Sequence, residues 1–229
     1  MDPGRSLAED AARQLRAAGT PARARGAQAY MKTADPFFGV AAGPLRAVLK
    51  GLEGRYAPAT QADYLAQVSA LWAIPEREGK YAAVEWARRF TGFIRLEALP
   101  LYERMIREGR WWDTVDAIAA HLVGRLLRER RPELGPMVEV WSRDPDLWIR
   151  RTAVLAQLKH KGVTDEAQLF ALCLRLAPEK EFFIRKAIGW ALREYSKTAP
   201  ARVAAFLADH GEALSGLSRR EARRVLDRD

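Results

Sequence analysis

Cysteine and histidine are scarce in this sequence. Cys173 is its single cysteine, so an internal disulfide and a cysteine-based zinc cage are both excluded. The three histidines, His121, His160 and His210, stand 39 and 50 residues apart, and none has a carboxylate or cysteine at metal-ligand spacing. No metal and no other cofactor is therefore expected. Long apolar runs are missing as well. No stretch reaches the roughly 18 uninterrupted apolar residues of a membrane span, and the opening MDPGRSLAEDAARQLR lacks the apolar centre of a signal peptide. The expectation is a cytoplasmic protein with no membrane association. What the chain does have is positive charge: 38 Lys and Arg against 29 Asp and Glu in 229 residues, a net +9. With 48% apolar and 29% charged residues it is globular rather than disordered, and its length fits one large domain or two small ones. The cationic excess points to a polyanion, most commonly nucleic acid; the alternative is a set of solvated arginine faces.

Apolar residues recur at helical spacing almost throughout, and no strand pattern emerges. Start and stop signals divide the chain into helices. Ser6 is placed to cap a first helix closed by Gly19, and Thr20-Pro21 to open a second. Further helices are expected from Pro44 to Gly54, after Thr60, from Pro75, and up to Gly109. WDTVDAIAAHLVGRLLRER runs to Pro132, PMVEVWSR to Asp144-Pro145, and the helix capped by Asp146 to Gly162. Segments Thr164–Leu176, Lys180–Lys197 and Pro200–His210 follow, and Ser218 with Glu221 reads as a capping box for the last helix.

These helices repeat. Leu147-Trp148-Ile149-Arg150-Arg151 and Phe182-Phe183-Ile184-Arg185-Lys186 share one pattern 35 residues apart, and a further step back reaches Trp112 and Asp116. Helical pairs at such a period indicate a solenoid of the HEAT or armadillo kind, with a concave inner face. Asp116, Arg151 and Lys186 then occupy equivalent positions on successive inner helices, as a functional row or as a solvated stripe.

The segment Arg110-Trp111-Trp112-Asp113-Thr114-Val115-Asp116 is the least typical in the chain. Trp112 and Asp116, four apart, share a helix face and suit a cationic target, since an indole face and a carboxylate both attract positive charge. Trp111 reads as core, and Asp113 as a carboxylate favoured near a helix N-terminus. Asp113 with Asp116 as a metal pair lacks a third ligand. Lys186, Trp190 and Arg193, at i, i+4 and i+7, form a face fitted to a nucleic-acid backbone, and Trp148 with Arg151 is a weaker version of it. Trp72, Trp86 and Trp141 read as core. The arginines at the ends, Arg219, Arg220, Arg223 and Arg224 among them, read as flanking contacts or as solvated charge, the latter favoured at the C-terminus because Glu221 lies among them.

Taken in order, Tyr30-Met31-Lys32, Pro75-Glu76-Arg77-Glu78, Trp111 to Asp116, and Lys180-Glu181-Phe182-Phe183-Ile184 through Gly189-Trp190 to Arg193-Glu194-Tyr195 resemble the AlkD-type bacterial alkylpurine DNA glycosylases, over essentially the whole chain. The resemblance implies an all-α superhelical solenoid of HEAT-like repeats spanning 1–229 as a single domain, with a concave DNA-binding face. It implies hydrolytic removal of N3- and N7-alkylated purines from double-stranded DNA, by a monomer, without insertion of the base into a pocket. It also implies that Trp112 and Trp190 contact the lesion's deoxyribose, that Asp116 is the catalytic carboxylate, and that Arg151 and Arg193 hold the backbone. Lys186 and Trp148 join that DNA-binding set. The sequence departs from the family at Ala41, where a polar residue such as Gln is common.

The chemistry of the residues is consistent with this. An N3- or N7-alkylated purine is already cationic and leaves without protonation, so the remaining work is stabilising an oxocarbenium-like sugar and directing water. Asp116 supplies the charge, and Trp112 and Trp190 supply π-faces. No lysine nucleophile is needed, which predicts no strand cleavage. The competing readings are an inert basic solenoid that recognises distorted DNA, and a protein-binding scaffold.

Overall fold

The computed structural model describes residues 3–226, which are helical with no strand among them. They form two compact units, one ending at Leu101 and the other beginning at Tyr102.

The first unit contains α1 (Pro3–Ala18), α2 (Pro21–Met31), α3 (Ala42–Tyr56), α4 (Gln61–Trp72) and α5 (Arg77–Arg89), then short 3-10 turns at Thr91–Phe93 and Leu96–Ala98. The Thr20 hydroxyl accepts the Arg23 N–H, with Pro21 in the first turn of α2. Thr60 and Asp63 form a reciprocal capping box at the start of α4, at 3.1 and 3.0 Å. Ser6 does not cap α1, which begins three residues earlier at Pro3. The core is made by α1 against α3 and α4, and by α4 against α5, burying Leu7, Leu49, Tyr64, Leu71 and Trp86 completely. Trp72 is buried too, as expected. The Trp86 indole N–H donates to Gln67 Oε1 at 2.9 Å, and Gln67 Nε2 donates to the Tyr56 carbonyl at 2.8 Å, so burying these polar atoms carries little cost. The buried Glu78 carboxylate accepts the N–H groups of Phe38, Gly39 and Val40 at 2.8–3.0 Å. That pins the loop before Ala41, the N-cap position of α3, which provides no side-chain cap.

Helix α6 (Leu99–Gly109) leads into the second unit: α7 (Trp112–Ile118), a π-helical turn at Ala119–Val123, α8 (Gly124–Glu129), α9 (Arg131–Trp141), α10 (Leu147–Leu155), α11 (Glu166–Leu176), α12 (Phe182–Ser196), α13 (Pro200–His210) and α14 (Gly216–Leu226). Contacts run α7 to α10, α10 to α12 and α12 to α14. A second row, α9, α11 and α13, leans on the first, each helix packing against the ones before and after it. This is the stacked-pair construction of a helical-repeat solenoid. Its period is visible in the bonds. Asp116 pairs with Arg151, and Lys186 with Glu221, each 35 residues apart. Glu139 pairs with Arg175, and Glu166 with Arg202, each 36 apart. The three-position row thus extends to a fourth position, Glu221.

Three boundaries in this unit differ from expectation. The long helix after Trp111 is broken by the π turn, α10 stops at Leu155 rather than running to Gly162, and α9 begins at Arg131 with Pro136 inside it. The expected capping box at Ser218 and Glu221 does not form. Ser215 accepts the Ser218 N–H at 3.1 Å instead, and the Ser218 hydroxyl donates across to the Arg185 carbonyl at 2.9 Å. Asp146 caps α10 as expected, accepting from Trp148 N–H at 2.8 Å. Trp141 is buried, and so is Cys173, whose thiol burial pushes up to about 12, which makes it unreactive.

His160 joins two of these repeats. It is 4% exposed, its Nε2 lies 2.8 Å from the Gly124 carbonyl, and its Nδ1 lies 3.3 Å from Arg131 Nη2. A carbonyl only accepts and a guanidinium only donates, so this geometry demands the neutral ring with its proton on Nε2. Burial, with Arg131 and Arg128 adding to it, pushes the histidine below its ordinary value of 6.5 against the pull of the carbonyl. The unfolded chain therefore binds the extra proton first. This contribution to stability is complete above about pH 6.5 and declines as pH falls below it. Thermal melts across that range should show the decline in the wild type and a flatter profile in His160→Gln. Equal slopes in the two proteins would remove the role given to His160.

Candidate active site

The chain leaves α6 at Gly109, and Arg110 takes a left-handed φ of 42° before Trp111 extends at φ −154° and ψ 149°. This turn sends Trp111 inward. Its ring packs against Trp148 and Phe183 with centroids 6.0 and 5.3 Å apart, and those two rings lie 5.0 Å from each other. Such aromatic pairs add about 0.5–1.5 kcal/mol each beyond the area they bury, so the cluster makes a stiff floor. Trp111 is thus a packing residue, as expected. Trp148 is one too: it is 6% exposed, which removes it from any DNA-facing surface and corrects the expectation for it.

Trp112, one residue on, begins α7 and lines an open cleft of about 280 Å³. Asp116, a helical turn later, lines the same cleft, and Trp190 of α12 reaches it from the facing repeat. The structure therefore brings together the three residues expected to act on the lesion. Asp113, His121, Lys159 and Glu194 complete the polar lining.

Arg151 of α10 fixes the carboxylate. Its Nε and Nη2 donate to the two Asp116 oxygens at 2.7 and 2.8 Å, and its Nη1 donates to the Phe183 carbonyl. The Arg151 side chain is 4% exposed and that of Asp116 14%. The guanidinium is thus engaged within the protein, because the face it shares with Trp148 is turned into the repeat interface; the contacts it makes in this structure are structural ones, to Asp116 and Phe183. Burial pushes the Asp116 carboxyl above the usual carboxylate range, the Arg151 pair opposes that shift, and Asp113 adds to it. The result is a held carboxylate, open on one side, with a strengthened affinity for positive charge and for a proton.

Lys186 and Arg193 gather elsewhere, on the buried carboxylate of Glu221 at 2.6 and 2.8 Å. Sequence reasoning missed Glu221 as a partner, although adding the same period to Lys186 reaches it. It also missed His121, Lys159 and Glu194 in the cleft. His121 faces the cleft from the π turn, whose extra residue per turn shifts every following side chain around the helix axis, and no residue in AAHLV announces that turn. Among the described residues no group of three His, Cys, Asp or Glu stands close enough to hold a metal ion.

Fold and site together define a helical-repeat protein with an open cleft lined by two indoles and a held carboxylate, and with a separate cluster of cations on Glu221. The chain belongs to the family of the DNA alkylation repair enzymes, whose profile matches residues 11–226. It is also similar to a solved structure titled "Predicted DNA alkylation repair enzyme from Enterococcus faecalis": 29% identity, covering 92% of this chain and 98% of that one, at a TM-score of 0.84. No curated protein matches it. Among the described residues, no helix is long and apolar enough to cross a membrane. A role in DNA repair follows from the family.

Proposed function

We propose that this protein is an AlkD-type, monofunctional alkylpurine DNA glycosylase with HEAT-like repeats. In this reading it hydrolyses the N-glycosidic bond of cationic N3- and N7-alkylated purines in duplex DNA, as a monomer and without drawing the base into a pocket. The observation that carries the reading is the open cleft lined by Trp112, Trp190 and the Asp116 carboxylate, which Arg151 holds through both its oxygens.

The substrate purine carries a full positive charge. As the bond from its N9 to C1′ breaks, the electron pair goes to the base, which leaves neutral, and the positive charge moves onto the deoxyribose. Asp116 stands where that new charge develops, so it attracts the transition state more than the ground state. The two indole faces add cation–π attraction of about 0.5–2 kcal/mol each. Water then bonds to C1′, and Asp116, its basicity raised by burial, takes the proton that the water loses. An open cleft suits this chemistry, because a leaving group that needs no protonation needs no enclosing acid. Lys159 supplies a point charge for a phosphate near the lesion.

A duplex containing N7-methylguanine tests the reading. Free methylated base should appear over an intact strand carrying an abasic site. Binding of the duplex without base release would leave only a recognition protein, and strand nicking in step with release would make Lys159 a Schiff-base nucleophile and end the monofunctional reading.

A further inference from the structure

Glu221 has no place in that chemistry, yet it is among the most enclosed charges in the molecule. Its side chain is 3% exposed, and it lies in α14, where that helix crosses α12. Three cations converge on its two oxygens: Lys186 Nζ at 2.6 Å on Oε1, Arg193 Nη1 at 2.8 Å on Oε2, and Arg224 Nη2 at 3.1 Å on Oε1. Burial alone pushes the carboxyl up, but Lys186, then Arg224 and Arg193, hold it below the usual range, so it stays charged. The four groups carry two positive charges in excess.

The approach of the two helices is built for this contact. A Cβ on Gly189 would lie 2.5 Å from the Cβ of Glu221 and 2.7 Å from the Ser218 carbonyl, so only glycine lets α14 come this close. The Ser218 hydroxyl, bonded to the Arg185 carbonyl, sets the register. The cations above the carboxylate face outward, with side chains 36% exposed at Lys186, 23% at Arg193 and 58% at Arg224. Each spends one donor on Glu221. An ammonium has three donors and a guanidinium five, so donors remain on all three for an outside anion. Without the buried carboxylate, three like charges on one face would repel and spread. The arrangement mirrors the first pair of the row, where a buried guanidinium holds an accessible carboxylate.

We propose that Glu221 is a positioning residue that assembles Lys186, Arg193 and Arg224 into one binding site for a phosphodiester of duplex DNA. The proposal shares its ligand with the function proposed above, but it concerns affinity for undamaged duplex, which can be measured without base excision.

Binding of an undamaged duplex is titrated over a range of salt. Each phosphate contact contributes about 0.9 to the slope of log affinity against log salt, which at about 0.1 M makes one lost contact worth roughly eightfold in affinity. Arg224→Gln, a change on an exposed side chain, removes one of the three cations on that phosphate and should flatten the slope by less than about 0.9 and weaken binding by less than roughly eightfold. Glu221→Gln makes the protein one charge more positive, and a mere counter-charge would then give tighter binding and a steeper slope. Positioning gives the opposite: weaker binding, a flatter slope and a loss larger than that of Arg224→Gln, with Glu221→Asp recovering part of it. A steeper or unchanged slope in Glu221→Gln overturns the proposal, and so does wild-type binding by Arg224→Gln. If Glu221→Gln melts below the assay temperature, Glu221→Asp and Arg224→Gln decide. Absent base release together with these slope changes would defeat the glycosylase reading alone.

Discussion

Asp116→Asn should release methylated base from duplex DNA two to four orders of magnitude more slowly than the wild type, while still binding that duplex. Asparagine keeps the shape of the side chain and an acceptor for Arg151, but loses the charge on which the proposed chemistry depends. Because the substrate is cationic before the bond breaks, part of the attraction is already present in the ground state. What disappears is the gain as charge moves from purine to sugar, so the turnover rate should fall far more than the affinity does. The substitution also leaves the Arg151 guanidinium, 4% exposed, without a full counter-charge, and a lower melting temperature is expected. Single-turnover release well below that melting temperature separates the two effects. Activity within tenfold of the wild type would show that Asp116 is not the group that stabilises the transition state.

The second large effect is at Arg151. Removing one partner of a buried ion pair costs about 3–5 kcal/mol, because the other is left charged in a poor solvent. Arg151→Gln should therefore lower the melting temperature near neutral pH by many degrees. The pH dependence identifies the cause. Arg151 opposes the upward push of burial on Asp116, so without it the carboxyl rises further. Protonating Asp116 then relieves the uncompensated charge, and the stability deficit relative to the wild type should shrink as pH falls towards about 4. For the same reason the acid limb of the rate profile should move to higher pH, since the active form is the carboxylate. A deficit that stays constant with pH, with an unmoved rate profile, would make Arg151 a packing residue with no hold on Asp116.

Much of the site is legible in the residues themselves. Trp112 and Asp116 lie four apart on one helix and do face one cleft, and Trp190, which the family resemblance places with them, lines the same cleft. Trp148 and Arg151 show the opposite outcome. Their spacing places them on a common face, which is correct, but that face is turned into the packed interface with Phe183 and Asp116 rather than towards solvent. An indole and a guanidinium three residues apart look alike in sequence whether they line a surface or a seam. The last helix shows the same ambiguity. Ser218 and Glu221 have capping-box spacing, yet Gly189 admits α14 so closely that Glu221 is drawn inward and its charge is spent on Lys186, Arg193 and Arg224.

By itself, the sequence determined the helical class, the repeat length and the shared helix face of Trp112 and Asp116, because helical periodicity and capping are local and are encoded within a few residues. Only the tertiary structure decided which charge is buried and which is left the more exposed. In the two ion pairs of the row the polarity is reversed: Asp116 is accessible over a buried Arg151, and Lys186 is accessible over a buried Glu221. The physical reason is that burying a charge is tolerated only against an opposite one at hydrogen-bonding distance, and which partner arrives, from 35 residues away, is set by how closely neighbouring repeats pack.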